Sequence, residues 1–499
     1  MTTIFMLGGM ALYLVVMFYV GYRAYLTNKV GDPEDWFVMG RSANIFMLVG
    51  TMFATWFSTF AFLGGPSLFY KTGVNWLLFG FFNSMGPVLI MIIGPRIWAL
   101  GKKFKFITPA DLLAAFYNSS RRLRILTGLI CIAVLFPYSA IQITGIAIAL
   151  SSISDGLINF NIGVLLIAVC VGVYSFVGGS RAVVWTDVIQ GFLFALLLIA
   201  TMFLVVRWAG GWDAGWTNSI NAKPELFFFE GGGGRYITLM VLWSFGWVLT
   251  PHLWQRLYMA DSAKTLVKGA AITSFLALFV VTFTGAVIGM LAIGMDLTIP
   301  EGANSDALVP LIFAKYLPAM GVVLVIAVFA AGMSTLDSQL ISATSSFTQD
   351  LVPSVMEADV NKRMRLARYF EVVFILAVVA FAFSPQGRSL IAPLASIGVG
   401  MALSFLLPLL GALFWSRASE PAAFWSMLLC WGVMLAMQFG LIPTPGKIGP
   451  PLWGLITGAI VFFGLSLAVR NPVEALRRQR FQGDFAERFP ETRSAVTSN

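Results

Sequence analysis

The sequence predicts an all-α integral membrane protein of about 13 transmembrane helices, and three observations carry that prediction. Hydrophobic residues make up 58% of the 499 positions against 11% charged, with a mean hydropathy of +0.85, more apolar surface than a water-soluble fold can bury. Apolar runs of 18 or more residues recur along nearly the whole chain, each long enough to cross roughly 30 Å of hydrocarbon as a helix. Polar loops rich in Lys and Arg alternate with these runs in the manner of cytoplasmic connections.

The spans are expected at about 4–24, 44–70, 74–99, 122–152, 161–178, 183–208, 236–259, 268–294, 312–350, 367–384, 390–415, 420–440 and 450–469. The long ninth segment reads as one helix or as a helix with a shorter one before it. The first span lacks a basic leader and is longer than a signal-peptide core, so it is expected to remain as an anchor. Together the spans form one transmembrane domain over residues 1–470, followed by a polar cytoplasmic tail at 471–499. Most of the 32 Lys and Arg fall on one side if the N-terminus is outside and the C-terminus inside, which predicts that orientation in the cell membrane. The net charge of +9 is then explained by inner loops. Arg121, Arg122 and Arg124 lie in one of these loops, and Lys362, Arg363, Arg365 and Arg368 in another. Their dispersal argues against a nucleic-acid partner. Cys131, Cys170 and Cys430 sit within apolar spans, where packing is the expected role.

The stretch from Ala209 to Arg235 is expected to be a flexible external loop. Its glycines Gly231 to Gly234 lack the Lys-Ser or Lys-Thr pair of a phosphate loop, and Leu226 to Phe229 suit the membrane interface or an external plug. On the inside, Thr108, Pro109 and Asp111 match an N-cap, a first-turn proline and an N3 carboxylate, predicting a short amphipathic helix. The tail from Arg470 is too polar for a core of its own and is expected on the membrane surface or disordered.

Irregular backbone within a membrane is tolerated only where protein buries it or a cavity adjoins it, which singles out two spans. The second contains Gly50 and ATWFSTFAFLGGP from Ala54 to Pro66; the seventh contains Gly246 and Pro251 within WSFGWVLTPHLWQR from Trp243 to Arg256. They lie five spans apart. That separation fits a 5+5 inverted repeat, about 44–208 facing 236–415, with one N-terminal and two C-terminal extra helices. Segments near Gly64, Gly65 and Gly246 are the expected hinges.

The ninth span supplies AAGMSTLDSQ, Ala330 to Gln339, in which Ala331, Ser334, Thr335 and Ser338 share one helical face. Two hydroxyls and a freed carbonyl are a partial shell for a hard cation; the alternative is that the hydroxyls bond back to their own helix or pack against a neighbour. Asp187 and Asp337 are carboxylates in or near the hydrocarbon, a functional signal, with a helix N-terminus or a structural hydrogen bond as the plainer readings. His252 is the single histidine and follows Pro251; packing stands beside solute contact or a proton relay. Trp56, Phe57, Trp243, Phe245 and Trp247 are candidates to wall a solute cavity. The positions expected to face the solute are Thr55, Trp56, Ser58, Thr59, Trp243, Trp247 and His252.

The stretch YSFVGGSRAVVWTDVIQG, Tyr174 to Gly191, and MSTLDSQ followed by Thr348, Gln349, Asp350 and Leu351 resemble the signatures of the solute:sodium symporter family. The resemblance covers roughly residues 5 to 470 and implies the leucine-transporter type of fold with one additional span before the repeats. It implies Na⁺ as coupling ion, held by Ala54, Phe57, Ala331, Ser334 and Thr335. A second sodium in some members corresponds to Asp187, Ser334, Asp337 and Ser338; with an Asp at position 337, sodium, a proton or a hydrogen bond all remain open there. Proline carriers of the family have Asp where this chain has Trp56, whereas Pro251-His252 and MSTLDSQ are more similar to its monocarboxylate and pantothenate carriers. A small carboxylate solute is the resulting expectation, ahead of other amino acids, sugars and ureides, with proton coupling, a transporter-like receptor or a channel as rivals. No metal-ligand cluster or nucleophile–base pairing supports an enzyme.

Overall fold

The computed structural model describes residues 2–27, 32–119, 121–154, 156–230, 232–297, 299, 305–352, 360–388, 391–469 and 472–488. Regular structure among these is helical, apart from one parallel bridge between Ala43 and Ala260. Every predicted span falls on helix. Among the described residues, nine helices are long and apolar enough by themselves to cross a bilayer, and the bent pair Gly233–Leu249 and Pro251–Met259 makes ten. The count of thirteen is not reproduced by length and composition, for local reasons. The second span is divided after the short helix Ile45–Trp56, the fifth, parted from the sixth at Gly179, counts only as the short apolar helix Phe160–Val171, and the tenth, Val360–Ala382, begins among cations. Phe192, Phe203 and Ile460, each more than 60% exposed, point outward, as side chains bathed in lipid do.

Small residues set how closely these helices cross. A Cβ at Gly50 would stand 2.6 Å from Val188 Cγ2, and one at Gly191 would stand 3.2 Å from the Ala54 Cβ, so the second and sixth spans meet almost backbone to backbone. The first span, Thr2–Tyr25, packs on the sixth and ninth: Gly9 leaves room for Val322, and Gln190 Nε2 donates to the Tyr13 phenol at 2.7 Å. Between the fifth and sixth spans, Gly179 takes φ +61, and the Trp36 ring fills the space a side chain there would need. The Gly-Gly turn of the signature is therefore a real break, held by Ser180, which accepts from Met39 N at 2.8 Å and donates to Asp35 O at 3.1 Å. The side chain of Tyr174 lies outside the described residues.

The short helix Pro109–Tyr117 forms as expected, with a full capping box between Thr108 and Asp111. Arg124 then bridges Asp111 at 2.7 Å and the buried Asp350 at 3.0 Å, tying this helix to the start of the fourth span and the end of the ninth. The three cysteines are free, with Cys131 and Cys430 buried and Cys170 partly so.

Two expectations are corrected. The stretch from Ala209 to Arg235, expected as a flexible loop, contains an 11-residue helix, Trp212–Ala222, secured by Ser219, which accepts from Gly294 N at 3.0 Å and donates to Leu291 O at 3.2 Å. After it, the chain around Leu226 sits directly on Gly73, while Asn75 donates to Phe228 O and accepts from Glu230 N. Phe228 and Phe229 stay exposed, and Gly231 lies outside the described residues. The tail is not featureless either: Pro472–Arg488 is a helix whose Phe481 stacks on Phe104 with centroids 5.2 Å apart, while Gln482 Nε2 donates to Gly411 O and Ala412 O. Those carbonyls lie at the end of the eleventh span, where Gly411 O also accepts from Trp415 N at 3.0 Å, so a polar tail finds partners there. Residues 489–499 lie outside the description.

Candidate ion and solute site

Both interrupted spans break, but not at their glycines. The second span leaves its helix at Phe57 (φ −106, ψ 90) and resumes through the wide turn Phe60–Gly64 into Gly65–Thr72. Gly64 and Gly65 are helical, which corrects the expected hinge. The break is held from outside: Gln142 Oε1 accepts from Thr59 N at 3.3 Å and from Thr59 Oγ1 at 2.9 Å, and Ser58 Oγ lies 3.2 Å from the Tyr138 hydroxyl. The seventh span bends by 53° at Thr250 (ψ 137), one residue before Pro251. Gly246 is also helical; its role is contact, since a Cβ there would lie 2.4 Å from Val399 Cγ1.

A helix that stops leaves its last carbonyls without a next turn. Those of the second span are met by the ninth. Ser334 Oγ lies 3.0 Å from Ala54 O and 3.1 Å from Ala331 O; Thr335 Oγ1 lies 3.3 Å from Ala54 O, 3.4 Å from Thr55 O and 3.2 Å from Ala331 O. Four of the five oxygens expected for the ion are thus gathered, all buried, and the Thr55 carbonyl joins them. The fifth expected oxygen, the Phe57 carbonyl, belongs to the residue at which the helix ends, and neither hydroxyl is hydrogen-bonded to it. The hydroxyls make the bland back-bond to Ala331 and the long-range contact together.

Below this cluster lies an ion pair. Asp187, fully buried, accepts from Thr51 Oγ1 at 2.6 Å and Thr55 Oγ1 at 3.3 Å, and pairs with Arg256 Nη2 at 3.3 Å. Arg256 also donates to Thr51, Thr55, Ser338 and the carbonyl of His252. The guanidinium therefore stands between Asp187 and Ser338. Asp337, on the adjoining face of the ninth span, is buried and within electrostatic reach of Tyr13 on the first. Arg256 is the residue that reading the sequence passes over, although a cation inside WSFGWVLTPHLWQR was itself the signal.

The aromatic candidates converge. Trp247 lies 6.3 Å from Trp56, 5.5 Å from Trp243 and 5.0 Å from Tyr138, whose ring is 5.6 Å from His252. Trp56 Nε1 donates to Asn83 Oδ1 at 3.0 Å, and its ring lies over Gly86. Trp56, Phe57, Phe60, Asn83 and Trp247 line a small cavity of about 20 Å³, room for little more than one water. Trp243 Nε1, Trp247 Nε1 and both His252 nitrogens are buried without a hydrogen-bond partner among the described residues. Thr55 and Thr59 are taken up by the ion pair and by Gln142, and Ser58 by Tyr138.

Broken helices whose loose ends are met by hydroxyls at the middle of a helical bundle define a secondary transporter. Residues 36–430 match the sodium:solute symporter family, and the chain belongs to it. It is 29% identical over 466 residues to the sodium/pantothenate symporter of Haemophilus influenzae, covering 86% of this chain and 90% of that one. It is 25% identical over 494 residues to the sodium/proline symporter of Escherichia coli, covering 96% of each. A solved Na⁺-coupled sialic acid symporter, in a substrate-bound outward-open state, shares the fold with a TM-score of 0.76 at 18% identity, covering 93% of this chain and 97% of that one. Na⁺ is the coupling ion.

Proposed function

We propose that this protein is a Na⁺-coupled importer of a small carboxylate solute, with Na⁺ bound by the carbonyls of Ala54, Phe57 and Ala331 and the hydroxyls of Ser334 and Thr335. The observation that carries the reading is the bridging of the second span's loose carbonyls by Ser334 and Thr335. Neutral oxygens from two spans suit a hard monovalent cation, and an ion shared between them favours the conformation in which both are aligned. Membrane potential contributes about 2.3 kcal/mol per charge per 100 mV, which is about fifty-fold accumulation per sodium without ATP.

The solute is assigned to the aromatic chamber of Trp56, Trp243, Trp247 and His252. The unpartnered N–H groups of Trp243, Trp247 and His252 are donors awaiting acceptors, and a carboxylate is the strongest small acceptor. The pantothenate relatives support the same class, and Trp56 in place of the proline carriers' Asp points away from proline. Two five-helix repeats, about 44–208 and 236–415 within one domain over 1–470, are proposed to rock around this site, with the N-terminus outside and the tail at 471–499 cytoplasmic. The test is uptake of radiolabelled pyruvate, lactate, propionate, pantothenate and proline into proteoliposomes with and without an inward Na⁺ gradient. Uphill accumulation of one acid only with Na⁺ is expected. Accumulation of none of the acids by correctly oriented protein would remove the carboxylate assignment.

A further inference from the structure

A guanidinium buried to 1% exposure inside a membrane span is costly unless its fork is fully engaged. That of Arg256 is engaged from four spans. Nε donates to Thr51 Oγ1 at 3.2 Å and Nη2 to Thr55 Oγ1 at 3.1 Å on the second span; Asp187 of the sixth and Ser338 of the ninth share Nη2, and Nη1 donates to His252 O at 3.0 Å on its own span. Each of these partners has a second engagement. Ser338 Oγ donates to Ser334 O at 2.8 Å, and the Thr55 carbonyl lies 3.4 Å from Thr335 Oγ1, so the guanidinium is one residue removed from both hydroxyls of the ion cluster. On its other side, His252 lies in the first turn of the helix after the seventh-span break and places its ring against Tyr138 in the aromatic chamber.

We propose that Arg256, oriented by Asp187, is the positioning residue through which Na⁺ binding sets the backbone of the seventh-span break and so prepares the solute chamber. The proposal rests on Na⁺ occupying the Ser334–Thr335 cluster. An ion that draws the Ala54 and Thr55 carbonyls and the two hydroxyls together moves Thr55 and Ser338. A planar fork bonded to both cannot follow without moving the carbonyl of His252. A flexible, singly bonded cation would transmit much less. By linkage, a chamber fixed by solute would hold the ion cluster in return.

Hydrogen exchange of the full-length protein in nanodiscs, in NaCl against KCl, reads this without a solute. In the wild type, Na⁺ is expected to slow exchange at least fivefold both at residues 51–60 and 331–338 and at 250–256. In the charge-neutral pair Asp187→Asn with Arg256→Gln, protection at 331–338 should persist while the response at 250–256 falls below twofold; Arg256→Lys, which keeps the charge but not the fork, should weaken it as well. A response at 250–256 that survives within twofold in either folded variant overturns the proposal. So does a wild type that responds at 331–338 but not at 250–256. Silence at 331–338 in the wild type, or a response there that Ser334→Ala with Thr335→Ala leaves intact, overturns instead the ion-cluster reading and takes this proposal with it.

Discussion

The second span leaves its helix at Phe57 without a proline at the turn, whereas the seventh bends at Thr250 immediately before Pro251. The difference is one of where the stabilising groups come from. At the seventh break they are local: Pro251 lacks the N–H that a continuing helix would need, Thr250 Oγ1 donates to Trp247 O at 2.7 Å, and Thr250 O accepts from Leu253 N and Trp254 N to start the next helix. At the second break they are distant in sequence: Gln142 and Tyr138 on the fourth span, Ser334 and Thr335 on the ninth. A break encoded in its own residues is present whatever surrounds it. A break held by neighbours exists only while they stay, and it is the one an ion acts on directly, the seventh feeling that ion only through Arg256.

That contrast can be broken in order of effect. Ser334→Ala with Thr335→Ala removes two charge-directed oxygens and should weaken Na⁺ activation of uptake about 100-fold, at about 1.5 kcal/mol each; unchanged Na⁺ half-saturation would mean the second break does not hold the ion. Gln142→Leu strips Thr59 of an acceptor for both its N–H and its hydroxyl in a dry interior. It should cost about 2 kcal/mol, read as a lowered melting temperature in detergent. A neutral result there would place the support of the break elsewhere. Asn83→Leu frees the Trp56 indole from the wall of the chamber and should raise the solute KM about fivefold with little change in Na⁺ half-saturation; a parallel change in both would tie Trp56 to the ion instead. Pro251→Ala should be the mildest, less than about 1 kcal/mol in thermal stability, because the Thr250 cap survives it. A large loss would show that the proline alone sustains the bend.

The same contrast explains what the sequence revealed. The seventh-span break, the capping box at Thr108 and the shared face of Ala331, Ser334 and Thr335 were legible because each depends on residues within one or two turns of one another. The glycines misled because Gly246 serves a crossing with Val399 and Gly50 a crossing with Val188, and a missing side chain looks the same whether it frees a backbone or admits a neighbour. Gln142 to Thr59, Asn83 to Trp56 and Arg256 to Asp187 join residues 83, 27 and 69 positions apart, and no local pattern marks such pairs. The packing of Phe481 on Phe104 was hidden for a similar reason: a helix of low hydropathy can still be anchored by one aromatic ring.

The close seating of the first span on the sixth and ninth bears on how the protein is made. Tyr13 meets Gln190 across 177 residues, and Gly9 meets Val322 from still farther along the chain. At synthesis rates of about 5–20 residues per second, the first helix stands in the bilayer for roughly 10 to 35 s before its nearest partner has even been translated. Its glycine notch and tyrosine are then exposed to lipid and to any other nascent helix, so membrane insertion has to keep this strand of the bundle available while the rest arrives.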